Sequence, residues 1–283
     1  MQNWFSSTTF LCTYLIFLGR INLSVENETQ LERIKNMLRS KCILDYSYVA
    51  ALFNPLLPNV TCLGAIISER WIVDNCQIEK GSNLTYTAVK VGLMNPTAAY
   101  YNISKSICHK DYARECFVIE GYDTRHMYAA RHAICLHRTS TSIKMDYTVH
   151  PIGLYAKQNY TLNYVDAVYI FGNKFLYTVQ DLPLVEHNYC NQIFFPHFRD
   201  GKEMVLTEDQ VCIKSHKRIT ATECCQSQPL LVSNECKLVG VMGWSTACSQ
   251  TLGVHPWVFT LVTYYRDWID TIRSSLDNDD NKV

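Results

Sequence analysis

Cysteine offers the most chemistry in this chain: there are thirteen in 283 residues, alongside nine histidines. Such a count fits metal binding or a disulfide framework. A structural zinc site needs paired ligands at short, repeated spacing. Cys224 and Cys225 are adjacent, and Cys108 stands eight residues before Cys116 with His109 beside it, so neither set has that spacing. The cysteines therefore read as disulfides, and no metal and no cofactor is expected.

Disulfides form in oxidising compartments, and two further features agree with export. Residues Phe10 to Gly19 (FLCTYLIFLG) form an apolar run of signal-peptide length, with the small Ser24 soon after, although no positive segment precedes it. The run falls short of the roughly 20 residues that span a bilayer. Residues 1–24 read as a signal peptide whose removal takes Cys12 and leaves twelve cysteines, an even number. Asn27, Asn59, Asn83, Asn102 and Asn159 each begin an Asn-X-Ser/Thr glycosylation sequon, and Asn22 does so near the cleavage region. The expected location is secreted and extracellular. Lys+Arg and Asp+Glu both number 26, which gives no broad attraction for nucleic acid or an anionic membrane.

These residues must be held by elements that read mainly as strands. Tyr48–Phe53, Leu63–Ile67, Ala88–Leu93, Val165–Phe171 and Leu238–Trp244 are short runs rich in Val, Ile and aromatics between turn residues, the pattern of a sandwich or barrel. Thr263 to Ser274 differs: Tyr265, Trp268, Ile269 and Ile272 fall at helical spacing. The polar acidic residues 275–283 are expected to be disordered.

Several segments line up, in order, with the chymotrypsin/trypsin-like serine proteases. Cys62-Leu-Gly-Ala-Ile-Ile-Ser-Glu-Arg-Trp-Ile-Val-Asp-Asn-Cys76 is similar to that family's CGGSLISERWVLTAAHC. His150-Pro-Ile-Gly-Leu154 resembles VRPICL, and Cys225-Gln-Ser-Gln-Pro-Leu-Leu-Val232 resembles CQGDSGGPLV. Leu238 to Cys248 resembles LVGIVSWGxGC, and Pro256 to Val262 with the Trp268 segment resembles PGVYTRVxxYxxWI. The resemblance implies an all-β fold of two packed six-stranded antiparallel β-barrels with a C-terminal α-helix. It divides the chain into a signal peptide (1–24), a short polar pro-segment (25–33), an inactive protease domain (34–274) and the tail.

In that family a serine attacks the peptide carbonyl, a histidine takes its proton, an aspartate orients the histidine, and backbone amides hold the oxyanion. Carried over position by position, the histidine falls on Asn75, anchored by Cys76. A neutral amide cannot serve as a general base near neutral pH. The aspartate falls on or near His132, which supplies no fixed negative charge; the competing reading is a histidine bonded locally in the seam between the barrels. Ser227 is the nominal nucleophile, in a loop two residues shorter than GDSGGPLV and without its glycines and aspartate. Arg33-Ile34 stands at the activation site, but a freed Ile34 amine lacks the usual carboxylate partner. Glu223 falls at the base of the specificity pocket, and Ser245 and Trp257 replace its wall glycines, so an indole is expected to fill much of it. The catalytic set is thus read as none, with Asn75, His132 and Ser227 as degenerate triad positions.

By the same resemblance the disulfides are Cys62–Cys76, Cys190–Cys212 and Cys225–Cys248, with Cys224 as the alternative to Cys225 in the last. The remaining cysteines leave fifteen pairings open; Cys108–Cys116, Cys42–Cys236 and Cys135–Cys224 are the first guesses. The pattern of losses resembles the clip-less protease homologues of insects. That implies a secreted non-catalytic protein that binds other secreted proteins, such as an active serine protease or a receptor, as cofactor or decoy. An active hydrolase with rearranged residues and a structural secretory protein are the alternatives.

Overall fold

The computed structural model describes residues 46–54, 57–75, 86–95, 98–117, 127–156, 162–171, 175–194, 206–213, 229–245 and 257–280. The chain divides into two compact units, Met1–Leu44 and Asp45–Val283, and every described residue lies in the second.

The Val-, Ile- and aromatic-rich runs form strands as their composition predicts. In chain order they are β1 (Val49–Asn54), β2 (Leu57–Ser68), β3 (Trp71–Asp74), β4 (Ala88–Val91), β5 (Ala99–Cys108), β6 (Ala113–Phe117), β7 (Met127–Arg131) and β8 (Cys135–Thr139). Six of these close an antiparallel barrel in the order β1-β2-β3-β8-β5-β4, with β4 returning to β1. Closure pairs every strand on both sides and leaves no edge. β6 and β7 form a separate hairpin between β5 and β8. The barrel interior is mainly apolar: Ala50, Leu52, Ile66, Ile72, Val89 and Val91 are fully buried together. Gly64 permits that packing, because a Cβ there would stand 2.7 Å from both Ile72 and Leu52 and 3.1 Å from the Val73 carbonyl oxygen.

The second half contributes β9 (Gly153–Leu154), β10 (Tyr164–Phe171), β11 (Phe175–Val185), helix α1 (His187–Phe194), β12 (Gln210–Ile213), β13 (Leu230–Val232), β14 (Lys237–Ser245) and β15 (Trp257–Leu261). The order β13-β10-β11-β12-β15-β14 closes through the β13–β14 pairing, and β9 adds parallel to β14. Two closed six-stranded antiparallel barrels are therefore present, as the resemblance implied. Among the described residues, no helix is long and apolar enough to cross a membrane.

A 3-10 turn (Val262–Tyr265) leads from β15 into α2 (Arg266–Asp280). The helical spacing of the sequence is realised, with Ile269 fully buried. The expectation of a disordered tail from residue 275 is corrected: α2 continues to Asp280. Its end is held by the first barrel. The Trp71 indole N–H donates to Asp277 Oδ1 and Oδ2 at 3.0 and 3.2 Å. The Arg138 guanidinium lies 3.7 Å from the same carboxylate and over the Trp71 ring. Sequence composition could not show this, because Trp71 and Arg138 are remote from the tail in the chain.

Two stability predictions follow from these contacts. Asp277→Ala removes the indole's acceptor and should lower unfolding free energy by about 1 kcal/mol, read from urea unfolding. Gly64→Ala should cost roughly 1–3 kcal/mol by overpacking, read the same way.

Candidate functional site

β3 ends at Asp74 and delivers Asn75 directly after it. Asn75 is buried, and neither its Oδ1 nor its Nδ2 finds a hydrogen-bond partner among the described residues. Its amide neither takes up nor releases a proton as a base or acid near neutral pH, whereas an imidazole at this place could.

His132 follows β7 in a left-handed backbone conformation (φ 50°), which is costly for a non-glycine residue. Its ring faces the segment after β15. The Tyr265 hydroxyl donates to Asp209, which is buried, in the turn before β12. Tyr265 therefore accepts from His132 Nδ1–H at 2.7 Å, which fixes the proton of neutral His132 on Nδ1. His132 Nδ1 lies 3.8 Å from the Asp209 carboxylate. His109, in the turn after β5, stacks on His132 with ring centroids 5.2 Å apart. Tyr265 and Trp268 present ring edges to His109 at 5.1 and 5.3 Å. Burial, and then the neighbouring His132, pull the His109 pKa below its ordinary value. Burial, with Asp209 next, pushes the Tyr265 hydroxyl far up, so it remains a donor. Nearby, the Gln210 side-chain amide donates to the Ala130 carbonyl at 2.7 Å, joining β12 of the second barrel to β7.

The other expected positions are placed as follows. Ser227 and Glu223 lie outside the described residues. Ser245 and Trp257 are direct partners across β14 and β15. The Trp257 side chain is buried in the core of the second barrel with Tyr155, Val165 and Phe259. Its indole N–H has no partner among the described residues. Asn102 is exposed on β5 and Asn59 lies on β2; Asn27, Asn83 and Asn159 lie outside the described residues.

The disulfides require two corrections. Cys108 is bonded to Cys135, not to Cys116, because β5 and β8 bring Cys108 directly opposite Cys135. The same bond excludes Cys135–Cys224. Cys190 and Cys212 are bonded, joining α1 to β12. Cys236 is disulfide-bonded to a residue outside the described set, where Cys42 also lies. Cys62 is buried beside the Tyr86 hydroxyl. Cys76, Cys225 and Cys248, which complete the other two expected bridges, fall outside the described residues.

Sequence reasoning missed one polar cluster. In the first barrel the His137 Nε2–H donates to Asp74 at 2.9 Å, and both side chains are fully buried. That bond leaves His137 Nδ1 as acceptor for the Ser106 hydroxyl at 2.8 Å. Burial, the larger effect, raises the Asp74 pKa, and His137 draws it partly back. Cys135 completes a group of three potential metal ligands with Asp74 and His137, but its sulfur is committed to Cys108. No local motif announces this cluster; the β5–β8 and β3–β8 registers create it. His137→Ala would leave the Asp74 carboxyl buried without its partner. It should cost about 3–5 kcal/mol, measured by denaturant unfolding, whereas Ser106→Ala should cost about 1 kcal/mol.

Comparison with known proteins agrees with this architecture. The chain is 26% identical over 250 residues to "CLIP domain-containing serine protease B15" of Anopheles gambiae, an alignment covering 80% of this chain and 66% of that protein. Among solved structures it resembles Kallikrein-related peptidase 10 in complex with Zn2+, with a TM-score of 0.59 and 19% identity, covering 81% of this chain and 96% of that one. A second structure, Kallikrein-related peptidase 10, gives a TM-score of 0.56 at 17% identity, covering 80% and 94% of the two chains. At these identities the structures speak for the fold alone. The trypsin family profile matches residues 44–269, most of the two-barrel unit, and the chain belongs to the trypsin-like serine protease family.

Proposed function

We propose that this chain is a secreted, non-catalytic member of its family that acts by binding other proteins. The observation that carries the reading is Asn75. It follows the end of β3, in the motif position where the family resemblance expects the general base, and its amide cannot relay a proton. His132 adds support: its Nδ1–H is engaged with Tyr265 rather than presented as an acceptor. The shortened loop around Ser227, without the glycines that aim oxyanion donors, points the same way. Trp257 adds a large indole where the resemblance expects a pocket-wall glycine. In a working triad the loss of one member already lowers the rate by a factor on the order of ten thousand.

The implied partner is another secreted protein, an active serine protease or a receptor, engaged through barrel surfaces or the shallower parts of the cleft. The leader and sequons support passage through the secretory route, and Asn102 stands exposed on β5 as a glycan acceptor would.

A fluorophosphonate serine-hydrolase probe tests the loss of catalysis. The purified secreted chain should stay unlabelled, and Asn75→His alone should not confer labelling. Probe adducts mapped to Ser227 in the unaltered chain would overturn the proposal. Glycosidase treatment of that material should shift its mobility, and Asn102→Gln should reduce the shift by one glycan.

A further inference from the structure

The cluster around His109 and His132 is not explained by any role in peptide cleavage. It joins four separate pieces of chain. His109 comes from the turn after β5, and His132 from the segment between β7 and β8. Asp209 precedes β12 of the second barrel, and Tyr265 and Trp268 belong to the C-terminal turn and helix. His132 adopts a left-handed backbone to reach its place, and such strain persists only where the surroundings hold it.

We propose that His109 and His132 form a pH-sensitive latch that holds the first barrel to the C-terminal segment at neutral pH and loosens on mild acidification. The inference is independent of whether the chain cleaves peptides.

The charges facing the pair decide the sign. Asp209 is buried and lies 3.8 Å from His132 Nδ1, so it can balance one imidazolium. The second ring has a poorer environment. His109 faces the exposed carboxylate of Asp111 at 3.9 Å, with Lys110 in the same turn adding positive charge. On the remaining sides stand the Tyr265 and Trp268 rings, and neither supplies a full negative charge. Glu208, next to Asp209, is engaged by the Tyr264 hydroxyl, and Arg131 precedes His132 in the chain. One positive charge can be accommodated, whereas two stacked imidazolium rings repel each other. The lowered His109 pKa agrees with this. A histidine whose folded pKa is depressed contributes stability that is present above its unfolded value, about 6.5, and that is lost as pH falls through the folded value. The window is therefore mildly acidic.

Hydrogen–deuterium exchange on the full chain at pH 7.5 and pH 5.5, corrected for intrinsic rates, tests the latch. Protection in residues 108–112 and 262–272 should fall several-fold on acidification, about twofold to fivefold. Strands β10 to β14 should keep theirs. The double variant His109→Gln/His132→Asn removes both titrating rings, and asparagine tolerates the left-handed backbone; it should show no such fall. Unchanged protection in the natural chain at both pH values would falsify the latch. So would an equal fall in the double variant, or a loss that begins in β3 and β8, which would assign the effect to Asp74 and His137. If the variant does not fold, the segment pattern in the natural chain decides alone.

Discussion

The two-barrel arrangement rests on a buried seam where Ala129, Ala130 and Ala133 pack with Cys190, Cys212, Trp244 and Val258, and where a hydrogen-bonded chain runs from His132 through Tyr265 to Asp209. Each barrel pairs its own strands by closing on itself, and the segment between the barrels is backbone-bonded to both: Ile152 N–H donates to the Ile66 carbonyl and Tyr155 N–H to the Leu238 carbonyl. Side chains at the seam add to this. Gln210 reaches the carbonyl of Ala130, and the C-terminal helix lays Asp277 against Trp71 and Arg138. Tyr265 is central because burial keeps its hydroxyl protonated. It can then donate to a carboxylate and accept from an imidazole at once.

The end of β3 carries two buried polar side chains in succession. Asn75 leaves a buried amide without partners among the described residues. Immediately before it, Asp74 is tied inward to His137. A buried carboxylate and a buried imidazole thus pair in the first barrel, with the part-buried Ser106 hydroxyl next in line. Buried pairs of this kind are strongly destabilising when one partner is removed, because a charge remains without compensation.

Much of the architecture was legible in the residues. Strand positions follow from alternation and composition, as in Val165–Phe171 and Leu238–Trp244, and the last helix follows from the spacing of Tyr265, Trp268, Ile269 and Ile272. Both signals are local, set by which side chains face the core. The tail was misread because its helicity does not come from its own composition: Asp277 is held by residues more than a hundred positions away. Cys108 was assigned to the nearer Cys116, since a short loop closes at low entropic cost. Strand register instead set it opposite Cys135.

Residue types and local spacing reached an all-β sandwich or barrel with a final helix; the order of motifs pointed to the family, and only that resemblance implied the two barrels and the expected triad positions. Tertiary structure alone decided what those residues touch. His132 is an isolated histidine in sequence, and it becomes part of a stacked, hydrogen-bonded cluster only when β5, β7, β12 and the segment after β15 converge. Asp74, Ser106 and His137 carry no motif and meet only through the pairing of β3 and β5 with β8. Long-range register and burial set those contacts, and neither is encoded within any one stretch of the chain.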